Sequence, residues 1–438
     1  MTASPASAAR KNAVAGAVGS VLEWYDFAIY GYLAPIIGTL FFPADDPLAS
    51  LLAAFGVFAI GFAARPLGGA IFGYIGDTLG RKPALMTSVL TMGVATFAIG
   101  VMPTHAQIGP AAALALVVLR VAEGLSVGGE YTGAIILLGE HAPPGRRAAY
   151  AIWPELGCIV GFLLGSGIGA LVSTLLGPER MGAWGWRVPF LLGGAIAVWG
   201  ILFRRQMTES PALEAAGQTA SATGRLAALR AHWRIVVRYV GLLLMSSIGF
   251  YTMFIYAASY LTERMHVSTA RALDVNTGSL LVMLLVAGPA ALLSDRFGRK
   301  PLMYVAIAGT FVLAWPLWWL MHQASLPLIF AGQAGFGALF AIAYGSIPAL
   351  MTELLPAEVR CTGIGIAYNV ALGLFGGTAP LVATYLVART ADDFTPAYYL
   401  MAAAAISFMS LIGLPETAAP GGDKGPSASL GRSTARST

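Results

Sequence analysis

The sequence predicts an all-α membrane protein whose twelve transmembrane helices form two six-helix bundles related by pseudo-two-fold symmetry. Of the 438 residues, 57% are hydrophobic and only 11% are charged, whereas a soluble domain carries about 25% charged residues. Apolar stretches of about 20 residues, the length that crosses a bilayer, recur along the chain. Charged motifs of one half also recur in the other half in the same order. These observations favour a polytopic fold built from an internal repeat.

Twelve apolar stretches are predicted to cross the bilayer. They lie at 13–42, 49–75, 84–102, 110–138, 149–175, 187–204, 235–262, 275–294, 302–321, 326–351, 362–388 and 396–414. We expect four regions, namely an N-terminal bundle at 1–205, a cytoplasmic linker at 206–234, a C-terminal bundle at 235–415 and a disordered cytoplasmic tail at 416–438. Arginine and lysine concentrate in the loops on one side of the predicted membrane. The positive-inside rule therefore predicts that both termini are cytoplasmic.

The first predicted span carries two carboxylates within an otherwise apolar stretch. Glu23, Asp26 and Tyr30 follow one another at i, i+3 and i+7, so they share one face of a helix. An ionisable side chain inside the membrane is costly unless it faces a polar interior. This face is therefore predicted to line a pathway for a solute and a proton. A structural ion pair between two helices is the alternative.

Two charged motifs recur in the loops of both predicted bundles. A G-x-x-x-D-x-x-G-R-K loop follows the second span, and S-D-R-F-G-R-K follows the eighth. A glutamate then precedes an arginine at the same spacing after the fourth and tenth spans. The residues concerned are Asp77, Arg81, Glu140, Arg147, Asp295, Arg299, Glu353 and Arg360. Matched acids and bases predict a cytoplasmic gate that breaks when the bundles rock apart. Ordinary positive-inside charge is the alternative.

Several motifs in order resemble those of the major facilitator superfamily, and within it the metabolite:proton symporter family. They are LEWYDFAIYGYLAP, GYIGDTLGRK, RVAEGLSVGGEYTGA and WGWRVPFLLGG. The resemblance covers essentially the whole chain and implies twelve helices, alternating access and import driven by the proton gradient. Members carry citrate, 2-oxoglutarate, shikimate, and proline or betaine. Two features depart from the family: Glu123 stands where many superfamily members have Gln, and the tail lacks the heptads of the osmosensing carriers.

Asp26 and Arg120 are predicted to form a buried charge pair. At a rise of about 1.5 Å per residue, both lie near the middle of their spans. The resemblance places the first and fourth helices side by side in one bundle. Neither charge could be left alone in a medium of low dielectric constant. We therefore expect protonation of Asp26 to release Arg120, which would then hold an anionic substrate.

Further ionisable residues lie in the second and fourth spans. Glu123 and Glu130 fall close to the helical face of Arg120 and are further candidates for carrying the proton, or structural partners of an arginine. Arg65 is the other cation in a predicted span, and with Arg120 it could grip two carboxylates. Neutralising Glu23 or Glu130 is its alternative role.

Tyrosine and asparagine side chains complete the predicted substrate site. The candidates are Tyr30, Tyr131, Tyr251, Tyr368 and Asn369. Aromatic residues at helical spacing are more often core than ligand. Hydroxyl and amide groups inside membrane helices nevertheless tend to face polar partners.

The motifs favour transport over catalysis. The chain contains no H-E-x-x-H, G-x-S-x-G or Walker-type sequence, so we expect neither an enzyme nor a metal or other cofactor. The net charge of +5 reflects the basic loops, so no nucleic-acid partner is expected. We expect a monomeric secondary transporter of a bacterial inner membrane that imports a di- or tricarboxylate by proton symport. The alternatives are symport of a zwitterionic compatible solute, such as proline or betaine, and a non-transporting sensor on the same scaffold.

Overall fold

The computed structural model describes residues 5–79, 81–127, 130–205 and 229–418. Most of the predicted linker and tail, at 206–228 and 419–438, lies outside the described residues. We label the twelve spans α1 to α12 in chain order, and several of them consist of consecutive helical pieces.

The N-terminal spans are α1 (Pro5–Tyr32, continued by Ala34–Phe41), α2 (Pro47–Leu79), α3 (Arg81–Val101), α4 (Ala111–Ser126 and Glu130–Glu140), α5 (Arg147–Ala151 and Trp153–Arg180) and α6 (Arg187–Arg205). The C-terminal spans are α7 (Trp233–Tyr251, Thr252–Tyr256 and Ala257–Glu263), α8 (Thr269–Phe297), α9 (Arg299–Met321), α10 (Leu326–Tyr344 and Ile347–Glu353), α11 (Ala357–Asn369, Val370–Gly376 and Ala379–Thr390) and α12 (Thr395–Ile412). Within the described ranges, nine helical stretches are long and apolar enough to cross a membrane, and two more are shorter.

The helix boundaries differ from the predicted spans in ways that local chemistry explains. The first span, predicted as one helix over 13–42, is interrupted at Leu33. Pro35 lies in the first turn of the piece that follows, and proline lacks the N–H that would continue the preceding helix. In α7 and α11 a π-helical turn interrupts the α-helix, and such turns locally widen a helix.

Each bundle is built from pairs of packed helices. In the N-terminal bundle α1 packs along α5, α2 along α4 and α3 along α6. In the C-terminal bundle α8 and α9 pack on α10, while α7 and α9 pack on α12. The bundles meet where α5 contacts α8, α2 contacts α11, α1 contacts α7 and α4 contacts α10. These eight helices therefore form the interface between the bundles.

Glycine allows α2 and α4 to approach closely. A Cβ atom on Gly124 would lie 1.9 Å from the carbonyl oxygen of Gly61, and one on Gly68 would lie 1.9 Å from that of Leu125. Small residues commonly permit such contacts between membrane helices. Because Glu123 immediately precedes Gly124, this backbone contact fixes where the charged residues of α4 lie beside α2.

Candidate transport pathway

A buried cluster inside the N-terminal bundle consists of Asp26, Thr96, Arg120 and Glu123. We call these four residues the α4 cluster. Arg120 Nη1 lies 2.6 Å from Glu123 Oε2 and 3.7 Å from Asp26 Oδ2. The Thr96 hydroxyl lies 2.7 Å from Asp26 Oδ1 and 3.1 Å from Glu123 Oε1. None of the four residues is more than 2% exposed. Helices α1, α3 and α4 therefore bring two acids and one base into contact.

The charges of the α4 cluster favour binding of one proton. Two ionised carboxylates beside one guanidinium leave a surplus negative charge, which is costly in a buried site. The single proton of the Thr96 hydroxyl cannot serve both acids, and the Met92 carbonyl oxygen, at 2.9 Å, competes for it. Among the described residues, Asp26 Oδ2 also has no hydrogen-bond partner. A proton on one carboxyl group would remove the surplus charge and supply the missing hydrogen bond.

The sequence assigned Asp26 as the partner of Arg120, but Glu123 is the closer acid. A spacing of i and i+3 places Glu123 about one turn along the same helix, so contact needs no second helix. The sequence analysis predicted Glu123 close to the helical face of Arg120. It could not predict whether Glu123 or Asp26 lies nearer to Arg120. The Arg120 guanidinium also lies 4.3 Å from the centre of the Tyr30 ring. The Tyr30 hydroxyl itself donates to the Ala54 carbonyl oxygen at 3.1 Å.

Arg65 pairs with Glu23 in a second buried group, which we call the α2 pair. Arg65 Nη2 donates to Glu23 Oε1 at 2.6 Å, and the guanidinium lies 4.9 Å from the centre of the Trp24 ring. It also lies within 5.5 Å of the ring centres of Phe27 and Phe62. Among the described residues, Arg65 Nε and Nη1 have no hydrogen-bond partner. The α2 pair therefore retains donors for an anion.

Sequence reasoning missed Glu155, a buried acid of α5. The Tyr131 hydroxyl donates a hydrogen bond to Glu155 Oε2. The Tyr131 ring in turn stacks on Tyr368 of the other bundle, with ring centres 4.8 Å apart and planes at 28°. A signal was present, because Glu155 falls inside the span predicted at 149–175 and an acid inside a span is a candidate functional residue by default.

Aromatic side chains fill the centre between the bundles. Tyr251 of α7 lies 5.2 Å from Phe62 of α2 and 6.0 Å from Phe58, measured between ring centres. Phe162 of α5 meets Phe250 of α7 at 4.6 Å. Asn369, predicted to contact substrate, is half-buried and donates to the Gly365 carbonyl oxygen of its own helix at 2.9 Å. Rings contributed from both bundles therefore pack against one another across the interface.

Charged residues join the two bundles at one end of the molecule, which we call the charged end. Arg299 contacts Asp295 at 2.8 Å and Glu353 at 2.9 Å, all within the C-terminal bundle. Arg147 reaches Glu353 across the interface at 3.9 Å. Arg360 also pairs with Glu140 across the interface. These contacts bring together six of the eight residues predicted to form a gate.

Asp295 also crosses the interface, with a partner that the sequence did not indicate. Its two carboxylate oxygens each accept a hydrogen bond at 3.0 Å from the backbone amides of Ala148 and Ala149. The side chains of Asp77 and Arg81, the other two predicted gate residues, lie outside what the structure describes. The side chain of Glu130, a predicted proton carrier, does so as well.

Neutral groups join the bundles at the opposite end. Ser166 of α5 donates to the Leu273 carbonyl oxygen of α8 at 3.0 Å, and the Asn276 amide donates to Ser166 at 3.1 Å. A cavity of about 200 Å³ lies nearby, lined by residues of both bundles that include Tyr32 and Thr262. Within the described part of the chain, no group of three or more His, Cys, Asp or Glu side chains could hold a metal ion.

A family model described as Major Facilitator Superfamily matches residues 16–366 and 269–436. The chain belongs to the Major Facilitator Superfamily. It is 34% identical over 420 residues to a proline/betaine transporter of Salmonella typhimurium, covering 93% of this chain and 84% of the relative. It is 36% identical over 427 residues to the inner membrane metabolite transport protein YhjE of Escherichia coli, covering 94% and 96%.

Solved structures of the superfamily share this fold. A structure of the proton:xylose symporter XylE bound to 6-bromo-6-deoxy-D-glucose aligns with a TM-score of 0.76 at 18% identity, covering 95% of this chain and 98% of XylE. The predicted fold class is therefore confirmed. Membership of the Major Facilitator Superfamily also identifies the chain as a membrane transporter and not an enzyme.

Proposed function

We propose that this protein imports a zwitterionic compatible solute, such as proline or a betaine, by proton symport through alternating access. In this proposal it works in a bacterial inner membrane with both termini in the cytoplasm. The observation that carries it is the difference in carboxylate partners between two buried arginines. Arg120 is matched by two acids that can hold a proton, whereas Arg65 pairs with one acid among the described residues. Both guanidiniums have nitrogens without a hydrogen-bond partner there, so the charge balance, and not the number of donors, separates them.

Charge balance favours a zwitterion over the di- or tricarboxylate expected from the sequence. Among the described residues, Arg65 pairs with one carboxylate and Arg120 with two, and both have nitrogens without a hydrogen-bond partner. An added carboxylate is better compensated beside Arg65, which supports one favourable position for a substrate carboxylate. A second or third carboxylate would approach Glu23, Glu155, Asp26 and Glu123, and uncompensated like charges are costly in a buried site. A zwitterion brings one carboxylate and a compensating positive charge.

The names of the relatives support the same substrate class. Besides the transporter of Salmonella typhimurium, a relative from Dickeya dadantii is named as a glycine betaine/proline/ectoine/pipecolic acid transporter. It is 35% identical over 420 residues. All four solutes in that name combine a carboxylate with a positively charged nitrogen-containing group.

The charged end serves in this proposal as the cytoplasmic gate. The pairs of Arg147 with Glu353 and of Arg360 with Glu140 join the bundles, so release of substrate to the cytoplasm requires that they break. We place Asp77 and Arg81 in the same gate on the strength of the repeated motif. A proton bound in the α4 cluster and a solute bound at Arg65 would together favour rocking of the bundles.

Transport by proteoliposomes with an imposed inward proton gradient tests the proposal. We expect accumulation of radiolabelled glycine betaine or proline, and none of citrate or 2-oxoglutarate. Asp26→Asn is expected to lower gradient-driven accumulation at least about 10-fold, because the acid that exchanges the proton is gone, and to retain exchange of labelled for unlabelled solute. Asp274→Asn, at an exposed acid, is the control.

Three outcomes contradict the proposal. Full accumulation by Asp26→Asn would remove Asp26 from proton coupling. If citrate accumulates and neither glycine betaine nor proline does, the substrate is a di- or tricarboxylate, as expected from the sequence. Binding of a solute without flux would favour the sensor.

A further inference from the structure

Tyr131 and Tyr368 form a ring pair that spans the interface between the bundles. Tyr131 lies at the start of the second piece of α4, and Tyr368 lies near the end of the first piece of α11. Both rings are buried, and they face each other nearly in parallel. When the bundles separate during alternating access, a slot with an aromatic face on each side opens between them. A positively charged group is attracted to such faces because the π system is electron-rich.

Glu155 supplies a carboxyl group to one wall of this slot. It is buried, and the Tyr131 hydroxyl donates to its carboxylate, so the acid lies beside the ring. None of the ion pairs among the described residues includes Glu155. Burying a carboxylate without a positive partner is costly. A cation that enters the slot would supply that partner.

The Arg65 guanidinium contacts Trp24, a ring that also contacts Tyr131. The Trp24 ring contacts Arg65 at 4.9 Å and stands edge-on to Tyr131, with ring centres 6.4 Å apart. The Trp24 indole therefore contacts both the Arg65 guanidinium and one wall of the slot. A small solute with a carboxylate at one end and a cation at the other matches this order of groups.

We propose that Tyr131, Tyr368 and Glu155 form a subsite for the positively charged nitrogen of the solute, best suited to a quaternary ammonium group. This inference rests on the proposed transport of zwitterions. A quaternary ammonium has no N–H to donate, so recognition depends on aromatic faces and a nearby negative charge. The solute's carboxylate binds Arg65, and its ammonium group lies between the two tyrosine rings.

A pair of ligands with the same shape and different charge tests the subsite. Glycine betaine and 3,3-dimethylbutanoate both present a carboxylate and a branched trimethyl group, but only betaine carries the nitrogen cation. Calorimetric titration of the purified full-length protein gives both Kd values. We expect the wild type to bind glycine betaine at least about 10-fold more tightly than 3,3-dimethylbutanoate, since a desolvated cation–π contact contributes about 2 kcal/mol.

Substitutions in the subsite should abolish this preference. In Tyr368→Leu and in Glu155→Gln the ratio of the two Kd values is expected to fall to about 1–3, mainly through weaker betaine binding. Tyr368→Phe keeps the ring face and is expected to restore most of the preference. Tyr385→Leu, at an exposed tyrosine of α11, is the matched control and should behave as wild type.

The outcomes separate this inference from the function on which it rests. If the wild type transports betaine and both Tyr368→Leu and Glu155→Gln keep the full preference, the subsite is wrong and the transport proposal stands. If the wild type binds neither glycine betaine nor proline, both proposals fail. Because Glu155→Gln is nearly isosteric, a folding defect of Tyr368→Leu would not rescue the inference.

Discussion

Two buried arginines of the N-terminal bundle show how partners decide what the same side chain can do. Arg120 and Arg65 are both fully buried and both lie against aromatic rings. Arg120 contacts two carboxylates, one of them from its own helix. Arg65 contacts one carboxylate among the described residues, that of Glu23. Each guanidinium has two nitrogens without a hydrogen-bond partner in the described chain, so the difference between them is the number of acids. The first arrangement favours binding of a proton, and the second favours binding of an anion.

The largest expected effect separates the two arginines directly. Arg65→Lys keeps the charge opposite Glu23 but loses the planar donors, so we expect the Kd for glycine betaine to rise about 10–100-fold, from a loss of about 1.5–3 kcal/mol in charge-assisted hydrogen bonding. Arg120→Lys should raise it less than about 10-fold, since the charge of Arg120 is already matched by two acids. Calorimetric titration of both variants measures the difference, and equal effects would contradict the division of roles.

A second substitution disturbs the support of the α4 cluster. In Gly124→Ala the new methyl group would meet the carbonyl oxygen of Gly61, so α2 and α4 must move apart. Overpacking of this kind costs about 1–3 kcal/mol, and we expect a lower midpoint of thermal unfolding in detergent. Gly56→Ala is the control in α2, because its added Cβ would have no atom of another described element within 4 Å. Equal midpoints for the two variants would show that the contact is not tight.

The smallest expected effect concerns the hydroxyl shared by the two acids. Thr96→Val keeps the size of the side chain and removes the bridge between Asp26 and Glu123. A hydrogen bond of this kind contributes about 1 kcal/mol, which corresponds to a decrease of about fivefold in the rate of gradient-driven uptake. The Kd for glycine betaine should stay within about twofold of the wild type. A change in Kd without a change in rate would place Thr96 at the solute and not at the proton.

Much of the fold could be predicted because its causes lie close together in the chain. A run of apolar residues must form a spanning helix wherever it occurs, since the bilayer leaves its backbone no other partners. The repeat of the charged loops likewise predicted two bundles. The π-helical turns of α7 and α11 depend on packing, so the predicted spans did not include them. Pro35 was a local signal for the break at Leu33 that the predicted span did not use.

The candidate site was predictable only in part. Asp26, Glu23, Arg65 and Arg120 stand out because charge is rare in apolar sequence. Thr96 does not stand out, because a hydroxyl is common in membrane helices and its role depends on which acids lie beside it. Glu155 carried the same signal as the other acids, but its link to the opposite bundle runs through Tyr131 and Tyr368, residues far apart in the chain.

The sequence by itself determined that the chain is a helical membrane protein with charge inside its N-terminal bundle and matched acids and bases in its loops. Hydropathy and charge are properties of single residues and their near neighbours, so no fold is needed to read them. Only the tertiary structure decided that Glu123 lies closer than Asp26 to Arg120, that Arg65 pairs with Glu23, and that Tyr131 faces Tyr368. Those facts depend on how closely helices approach and rotate, and backbone contacts such as that of Gly124 with Gly61 set both.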